Sequence, residues 1–363
     1  MGEYTNLSDV HAYIKNYLDD PNHVNISVIF ANNTSGKTRL SKLFCDDADN
    51  SVLCYNAFLE DCFSWDNDNV ELSISKGSWV SDLIKDEGLH NEIDSNFKLF
   101  TNGRIEATIN STATNVVFKL LGDDESKDNI KISKGEESLF IWSVFYTVLQ
   151  TAIDNLIETI DNRTSEKFND LRYIVIDDPV SSMDDARIIS VGIAINELLD
   201  RLVKSQDKLQ TKIGVLITTH HALFFSIIHN KNIKADKRKQ QDYVLSRLDK
   251  TYILEEQNNS SPFAYHHQIL LEIQHAIKED DIRKYHFNLL RCLLEKTANF
   301  LGYKGNWSVL ISDNSNKELL IKILNQYSHN QLSETEARYV EKNDKDLFIN
   351  TFNDFLRDYK WNY

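Results

Sequence analysis

Cysteine is scarce in this sequence, with four residues among 363. These cysteines show neither the paired spacing of a zinc site nor the density of a disulfide-stapled domain. The four positions are Cys45, Cys54, Cys62 and Cys292. We therefore expect reduced thiols and a cytoplasmic protein.

Long hydrophobic runs are absent as well. No apolar run approaches the roughly 20 residues that a membrane-spanning helix needs, and the first residues do not follow a signal-peptide pattern. Hydrophobic residues make up 41% of the sequence and charged residues 26%, as in an ordinary soluble globular protein. The length allows two domains, or one large domain with a smaller one. We expect no association with a membrane.

Positive charge is in short supply. The sequence has 40 Lys and Arg residues against 55 Asp and Glu residues, which gives a formal net charge of −15 at pH 7. A balance of this sign argues against a protein that binds nucleic acid over a broad surface. It leaves room for a local nucleic-acid site.

A glycine–lysine–threonine motif near the N-terminus lies between a predicted buried strand at residues 24–30 and a predicted helix. In a phosphate-binding loop, backbone N–H groups surround the phosphates, Lys37 contacts the β and γ oxygens, and the Thr38 hydroxyl binds Mg²⁺. Ala31 and Thr34 stand where such loops usually carry glycine. The strand and helix around the motif favour nucleotide binding over a plain turn. The predicted nucleotide-binding residues here are Asn33, Thr34, Ser35, Gly36, Lys37 and Thr38.

A serine–glycine–glutamate motif opens an apolar helix of about six turns. Ser133 and Glu136 have the spacing of a capping box, in which two side chains satisfy N–H groups at the helix start. Alternatively, Gly135 lets the backbone approach an anion at the positive end of the helix dipole. The motif by itself leaves both interpretations open, and all three residues are candidates for nucleotide binding.

Two adjacent carboxylates follow four apolar residues at positions 173–176, which favour a strand buried on both faces of a parallel sheet. In a nucleotidase, Asp177 would coordinate Mg²⁺ and Asp178 would polarise the attacking water. Both residues could instead cap a helix, but residues 179–184, which end at Asp184, follow in register and favour the first interpretation.

A histidine ends the next predicted strand, at residues 213–217. At the carboxyl end of a strand, His220 is placed to sense a γ-phosphate. A single histidine at such a position is more often structural. The ordered series of motifs before it favours the functional interpretation.

The pattern becomes helical beyond residue 262, and residues 282–301 predict an amphipathic helix. Arg291 and Glu295 lie one turn apart on its polar face, where an ordinary surface pair would contribute about 0.2–0.5 kcal/mol. His329 lies near the end of a further helix. Arg, Glu and His together suffice for metal-independent RNA cleavage, with two groups transferring protons and the guanidinium stabilising the phosphate oxygens. Spacing does not show that His329 reaches Glu295.

The N-terminal motifs, taken in order, resemble those of the ATP-binding-cassette (ABC) ATPases. They are a phosphate loop at 31–38, a signature at 133–136, an acidic strand at 174–178, a D-loop at 181–184 and a switch histidine, His220. This resemblance implies that Thr38 and Asp177 bind the metal ion. It also implies that the ATPase switch consists of Asp177, Asp178, Asp184 and His220. The class implies a head-to-tail dimer, in which the signature of one subunit closes on phosphates held by the other.

Longer segments resemble a single family, the PrrC-type anticodon nucleases. The similarity covers residues 28–329, and the segments that carry it are 55–58, 65–68, 132–138, 140–146 and 285–303. The resemblance implies an α/β fold: an ABC-type P-loop ATPase regulatory domain at 1–260, followed by a mainly α-helical nuclease domain at 261–363. It implies that Arg291, Glu295 and His329 are catalytic. The expected substrate is a tRNA, typically lysine tRNA, cut 5′ of the wobble base to leave 2′,3′-cyclic phosphate and 5′-OH ends.

The resemblance also implies a latent toxin of antiviral defence. Its expected ligands are ATP or GTP with Mg²⁺, and dTTP. Its expected partners are the tRNA anticodon loop, further copies of the chain in a homo-oligomer, and a type I restriction–modification complex that silences it.

Another class with these motifs is an ABC-type ATPase of DNA repair or maintenance without nuclease activity. That class requires a long coiled coil between the phosphate loop and the signature, and residues 38–132 carry no sustained heptads. The nuclease interpretation is therefore preferred.

Overall fold

The structure is a computed structural model. It describes residues 2–32, 35–46, 51–121, 129–181, 183–229, 239–248, 251–257, 264–303, 306–312, 317–329 and 340–359. The chain divides into two compact units, Met1–Pro262 and Phe263–Tyr363.

The strands of the described residues all lie in the first unit. In chain order they are β1 (Gly2–Tyr4), β2 (Asn25–Ala31), β3 (Val52–Tyr55), β4 (Phe63–Asp66), β5 (Glu71–Ile74), β6 (Ile105–Ile109), β7 (Asn115–Leu120), β8 (Tyr173–Asp177), β9 (Gly214–Thr219), β10 (Lys239–Leu248) and β11 (Thr251–Gln257).

Helices occur in both units. Those of the first unit are α1 (Leu7–Leu18), α2 (Lys37–Asp46), α3 (Ala57–Glu60), α4 (Trp79–Glu87), α5 (His90–Phe100), α6 (Lys134–Ile157), α7 (Asp185–Lys204) and α8 (Ala222–His229). Those of the second unit are α9 (Ala264–Lys278), α10 (Lys284–Phe300), α11 (Lys317–His329) and α12 (Lys342–Asp358). Short 3₁₀ helices cover Ile160–Asn162 and Trp307–Leu310.

The main sheet has seven strands in the order β1-β11-β10-β2-β9-β8-β3. Its central strands β2, β9 and β8 are parallel, and every residue in them is buried. Strands covered on both faces are mainly apolar, so the sequence predicted all three, and these predictions are confirmed. Because β9 lies between β2 and β8, the phosphate loop, His220 and the paired carboxylates follow neighbouring strands at one edge of the sheet.

A smaller antiparallel sheet has the strand order β4-β5-β7-β6. α6 packs beside it, with the ring centroid of Phe140 5.2 Å from that of Phe118 in β7. The Phe97 ring of α5 lies 5.4 Å from Phe140 and 5.7 Å from Phe118, so the three rings form one cluster. The sheet, α5 and α6 therefore share one aromatic core.

α6 is the long apolar helix that the sequence predicted, and it has 24 residues. It is long and apolar enough to cross a membrane, yet 78% of its most apolar stretch is buried inside the protein. The expectation that no stretch of such length exists is therefore wrong. In the sequence, the polar residues Ser143 and Thr147 interrupt this apolar stretch. In the helix, their hydroxyls donate to the carbonyls of Leu139 and Ser143, one turn earlier, at 2.7 and 2.8 Å. The extent of its burial identifies α6 as a core helix.

A disulfide joins Cys45 of α2 to Cys54 of β3. The prediction of reduced thiols is wrong for this pair. Spacing in the sequence did not indicate it, because packing of α2 beside β3 is what brings the two Cα atoms to 6.3 Å. Cys62 and Cys292 are not part of this disulfide, and for them the prediction of reduced thiols is confirmed.

The second unit is a helical domain with its own core. α10 turns its apolar face inward, as predicted, and its Phe287 ring lies 4.7 Å from the Phe348 ring of α12. Leu290 and Leu294 of the same helix are fully buried. The predicted fold class, a P-loop α/β domain followed by a mainly helical domain, is confirmed.

Candidate functional site

The phosphate loop connects β2 to the first turn of α2. Asn33 and Thr34 lie outside the described residues. The backbone N–H of Ser35 donates to the carbonyl of Asn32 at 3.3 Å. Gly36 has φ +96°, a backbone conformation that residues with a side chain rarely adopt. Lys37 and Thr38 follow in the first turn of the ten-residue helix α2, whose N–H groups and dipole suit an anion.

Lys37 is held by the paired carboxylates at the end of β8. Its ammonium lies 2.6 Å from Asp178 Oδ2 and 3.9 Å from Asp177 Oδ1, and its side chain is 8% exposed. The structure thus brings together three residues that the sequence assigned to one site from motifs far apart in the chain. A nucleotide phosphate that reached Lys37 would have to compete with Asp178.

Asp178 has φ +55°, which is rare for a residue with a side chain and occurs most readily for Asp and Asn. In this conformation its carboxylate contacts the ring Nδ1 of His220, the residue that follows β9. It also accepts from the backbone N–H of His220 at 3.3 Å and from the Thr219 hydroxyl at 3.2 Å. Asp178 and His220 were predicted to polarise water and to sense phosphate. The structure pairs these two residues with each other, and it pairs Asp178 with Lys37 as well.

The environment of Asp178 favours its charged form. Burial of Asp178 would raise the pKa of its carboxyl, but the hydrogen bond with His220 and the Lys37 ammonium outweigh burial. The pKa falls from 3.8 to about 2. Because this pKa is lower than in an unfolded chain, the carboxylate stabilises the fold above pH 3.8, and this stabilisation disappears as the pH falls through about 2.

This shift predicts the pH dependence of an Asp178→Asn variant. Without nucleotide, we expect the variant to be about 2 kcal/mol less stable than the wild type near pH 7, because a neutral amide loses the contacts that the carboxylate makes with His220 and Lys37. The difference should shrink below pH 4 as the wild-type carboxyl takes up its proton. Urea unfolding of both proteins between pH 7 and pH 2 measures it. Asp184→Asn is the control, because Asp184 is a 60% exposed helix cap that Asn replaces well. A difference that stayed constant to pH 2 would contradict the assignment.

Asp177 is oriented by buried hydroxyl groups that the sequence analysis did not identify. Thr218 of β9 donates its hydroxyl hydrogen to Asp177, and Ser41 Oγ of α2 lies 3.1 Å from Thr218 Oγ1. All three side chains are buried. The doubled threonine at positions 218–219, beside the acidic strand, was the signal available in the sequence.

Two oxygen ligands at the carboxyl ends of the parallel strands suit a nucleotide-bound Mg²⁺. Thr38 is exposed at the start of α2, and Asp177 presents a carboxylate fixed by Thr218. Mg²⁺ commonly takes few protein ligands and completes its shell with phosphate oxygens and water. Within the described ranges, three or more His, Cys, Asp or Glu side chains nowhere converge on a possible metal position.

The signature residues form the capping box at the start of α6. Ser133 Oγ accepts from the backbone N–H of Glu136 at 3.3 Å, and Glu136 Oε2 accepts from the backbone N–H of Ser133 at 2.7 Å. Gly135 lies between them in the first turn. The structure also connects this motif to the D-loop, because Arg187 of α7 lies 3.6 Å from Glu136 and 3.4 Å from Asp184. The sequence analysis missed Arg187. The nucleotide-binding role of the signature stays a prediction.

The second unit contains the predicted nuclease pair. Arg291 Nε donates to Glu295 Oε1 at 2.8 Å, with side chains 19% and 40% exposed. The guanidinium also donates through Nη1 to Asn325 Oδ1 of α11 at 3.0 Å, and its Cζ lies 5.5 Å from the ring centroid of Trp307. An ordinary surface pair within one helix does not account for these contacts from two further elements.

His329 is the last residue of α11, one helical turn beyond Asn325. Its side chain lies outside the described part of the structure, so its catalytic role stays a prediction. The backbone nevertheless places it on the helix that contacts Arg291. Asn325 precedes His329 by four residues, so both lie on one face of the helix. This spacing was the feature of the sequence that could have identified Asn325.

Two comparisons with known proteins identify relatives of the chain. A family model described as an AAA domain matches residues 82–356. The curated Anticodon nuclease of Escherichia coli is 37% identical over 341 residues, which cover 85% of this chain and 82% of that protein.

Two solved structures of SMC heads are more distant. The SMC head domain from Thermotoga maritima is 10% identical, with a TM-score of 0.33 over 64% of this chain and 90% of that one. An SMC head bound to the C-winged helix domain of ScpA is 11% identical, with a TM-score of 0.28 over 50% and 49%. These scores are too low to support an argument.

Proposed function

The chain belongs to the anticodon nuclease family, and we propose that it is an endoribonuclease that cuts a tRNA in its anticodon loop under the control of a bound nucleotide. The observation that carries this proposal is the convergence of Glu295, Asn325 and Trp307 on the Arg291 guanidinium in the helical unit. A guanidinium held at a half-buried position beside a carboxylate is suited to a phosphodiester with a neighbouring hydroxyl. The specific substrate proposed is lysine tRNA, cut 5′ of the wobble base.

The chemistry requires two proton transfers and one charge-stabilising group. One member of the Glu295–His329 pair removes the proton of the ribose 2′-hydroxyl, and the 2′-oxygen attacks the adjacent phosphorus. The bond from phosphorus to the 5′-oxygen breaks, and the other member protonates that oxygen. Arg291 offsets the negative charge that gathers on the non-bridging oxygens. The products are a 2′,3′-cyclic phosphate and a 5′-OH end, and no step requires a metal ion.

The regulatory part of the proposal concerns the first unit. Lys37 and Thr38 would hold ATP or GTP with Mg²⁺, and Lys37 would then exchange its contact with Asp178 for one with phosphate. In a head-to-tail dimer, Ser133, Gly135 and Glu136 of the partner subunit complete the site, and larger homo-oligomers build on this dimer. The arrangement of Lys37, Asp178 and His220 at one edge of the sheet supports the nucleotide-binding part of this proposal.

The cellular setting rests on the family resemblance. The protein is cytoplasmic and acts as a toxin of antiviral defence. A type I restriction–modification complex keeps it silent, and dTTP is a further ligand.

Mapping of cleavage ends tests the proposed activity. Wild-type protein is incubated with total tRNA, Mg²⁺ and ATP or GTP, and new 5′-OH ends are sequenced. We expect one dominant end, 5′ of the wobble base of lysine tRNA, with a 2′,3′-cyclic phosphate on the other fragment. The end should be lost in His329→Ala. Cleavage outside anticodon loops would contradict the proposed substrate, and persistent cleavage in His329→Ala would contradict the proposed acid–base pair.

A further inference from the structure

The Arg291 guanidinium is contacted from three separate elements of the helical unit. Glu295 of α10 accepts from Nε at 2.8 Å, and Asn325 of α11 accepts from Nη1 at 3.0 Å. Trp307, in the 3₁₀ helix Trp307–Leu310, lies with its ring 5.5 Å from Cζ. The guanidinium is rigid and planar, so acceptors at two of its nitrogens, with a ring near its central carbon, define the direction in which it points.

Glu295 by itself is a poor anchor for this direction. It lies on the same helix as Arg291, at the i,i+4 spacing of an ordinary surface pair, and its side chain is 40% exposed. Under the proposed function it also gains and loses a proton during each turnover, which changes the bond that it makes with Nε.

Asn325 has the properties that Glu295 lacks. Its amide does not titrate, and Oδ1 acts only as an acceptor, so its bond to Nη1 persists through the reaction. The amide is also neutral, so it orients the guanidinium without cancelling the positive charge that stabilises the phosphate oxygens. Trp307, an aromatic ring next to a cation, likewise leaves that charge intact.

We propose that Asn325 is a positioning residue of the nuclease site, which aims the Arg291 guanidinium at the scissile phosphate while Glu295 exchanges protons. This inference rests on the proposed function. It assigns to α11 a second contribution besides His329, one helical turn away.

Kinetic measurements with the full chain and a lysine tRNA substrate separate this role from tRNA binding. In Asn325→Ala, we expect kcat to fall by about 10–100-fold with little change in KM, because a misdirected guanidinium loses its interaction with the transition state. The matched control is Asn288→Ala, which removes the same amide from an exposed position on α10. The control should cut within about two-fold of the wild type, as surface changes usually do.

A double-variant cycle tests whether Asn325 acts through Arg291. Arg291→Ala should lower the single-turnover rate by roughly 10²–10³-fold, and adding Asn325→Ala should cause no further loss. Asn325→Asp keeps the shape and the accepting oxygen but places a negative charge beside the guanidinium. Its cleavage rate should fall at least about 10-fold, because the cation is partly neutralised. This variant decides the matter if Asn325→Ala does not fold.

The possible outcomes are distinct. If the wild type cuts the tRNA and Asn325→Ala cuts equally fast, the positioning role is refuted while the proposed function stands. A raised KM at unchanged kcat, or a further loss on the Arg291→Ala background, also refutes it. If the wild type does not cut tRNA at all, the proposed function fails and this inference fails with it.

Discussion

Replacement of Glu295 by glutamine should lower tRNA cleavage by about 10²–10⁴-fold, the usual contribution of a general acid or base. Glutamine keeps an oxygen that can accept from Arg291 Nε, so the contact seen at 2.8 Å can persist. What it loses is the ability to exchange a proton with the ribose hydroxyl or the leaving oxygen. The measurement is a single-turnover cleavage rate at saturating protein, with the melting temperature of each protein as a check on folding.

The matched control for Glu295→Gln is Glu318→Gln. Glu318 is exposed in the first turn of α11, in the same helical unit, and the change in charge is identical. Its cleavage rate should stay near that of the wild type. Equal rates in wild type and Glu295→Gln would show that Glu295 serves Arg291 as an ordinary surface partner and takes no part in proton transfer.

Lys37→Ala should remove nucleotide control of cleavage. Lys37 is expected to form charge-assisted hydrogen bonds with the phosphates, worth about 1.5–3 kcal/mol, so nucleotide binding should weaken by roughly 10–150-fold. Nucleotide that binds the folded protein raises its melting temperature, and this rise should be largely lost in the variant. Lys42→Ala, an exposed change on the same helix, should retain both responses. Unchanged regulation in Lys37→Ala would contradict a role for the phosphate loop.

The same variant should also be less stable without nucleotide. Removal of Lys37 leaves the Asp178 carboxylate without its nearest cation, 2.6 Å away, in a mostly buried position. Breaking a buried pair in this way typically costs about 3–5 kcal/mol. Adding Asp178→Asn removes the isolated charge, so the double variant should regain stability while nucleotide control stays absent. Recovery of stability without recovery of control separates the structural role of Lys37 from its binding role.

Much of the chain was predictable because neighbours along one element are set by local geometry. Buried parallel strands require apolar runs, which identified β2, β8 and β9. The helical repeat placed Arg291 and Glu295 one turn apart, and the structure confirms that they touch. The capping box of Ser133 and Glu136 likewise depends on residues three positions apart.

Tertiary structure decided the contacts between elements. The insertion of β9 between β2 and β8 brings His220 against Asp178 and lets Thr218 bond Asp177. The packing of α2 beside β3 joins Cys45 to Cys54, against the expectation from composition. The repeat of a helix or a strand relates residues within one element only, so it could not predict these pairs. Strand order and helix packing depend on burial of the whole core.

The proposed nuclease site combines both kinds of information. The sequence by itself determined that Arg291 and Glu295 share a helix face, because the spacing of four residues corresponds to one turn. Only the tertiary structure showed that Asn325, on another helix, and Trp307, in a 3₁₀ helix, meet the same guanidinium. The reason is physical: a helix determines the neighbours of its own residues, whereas the packing of α10, α11 and the Trp307 segment around a shared apolar core determines what each helix face contacts.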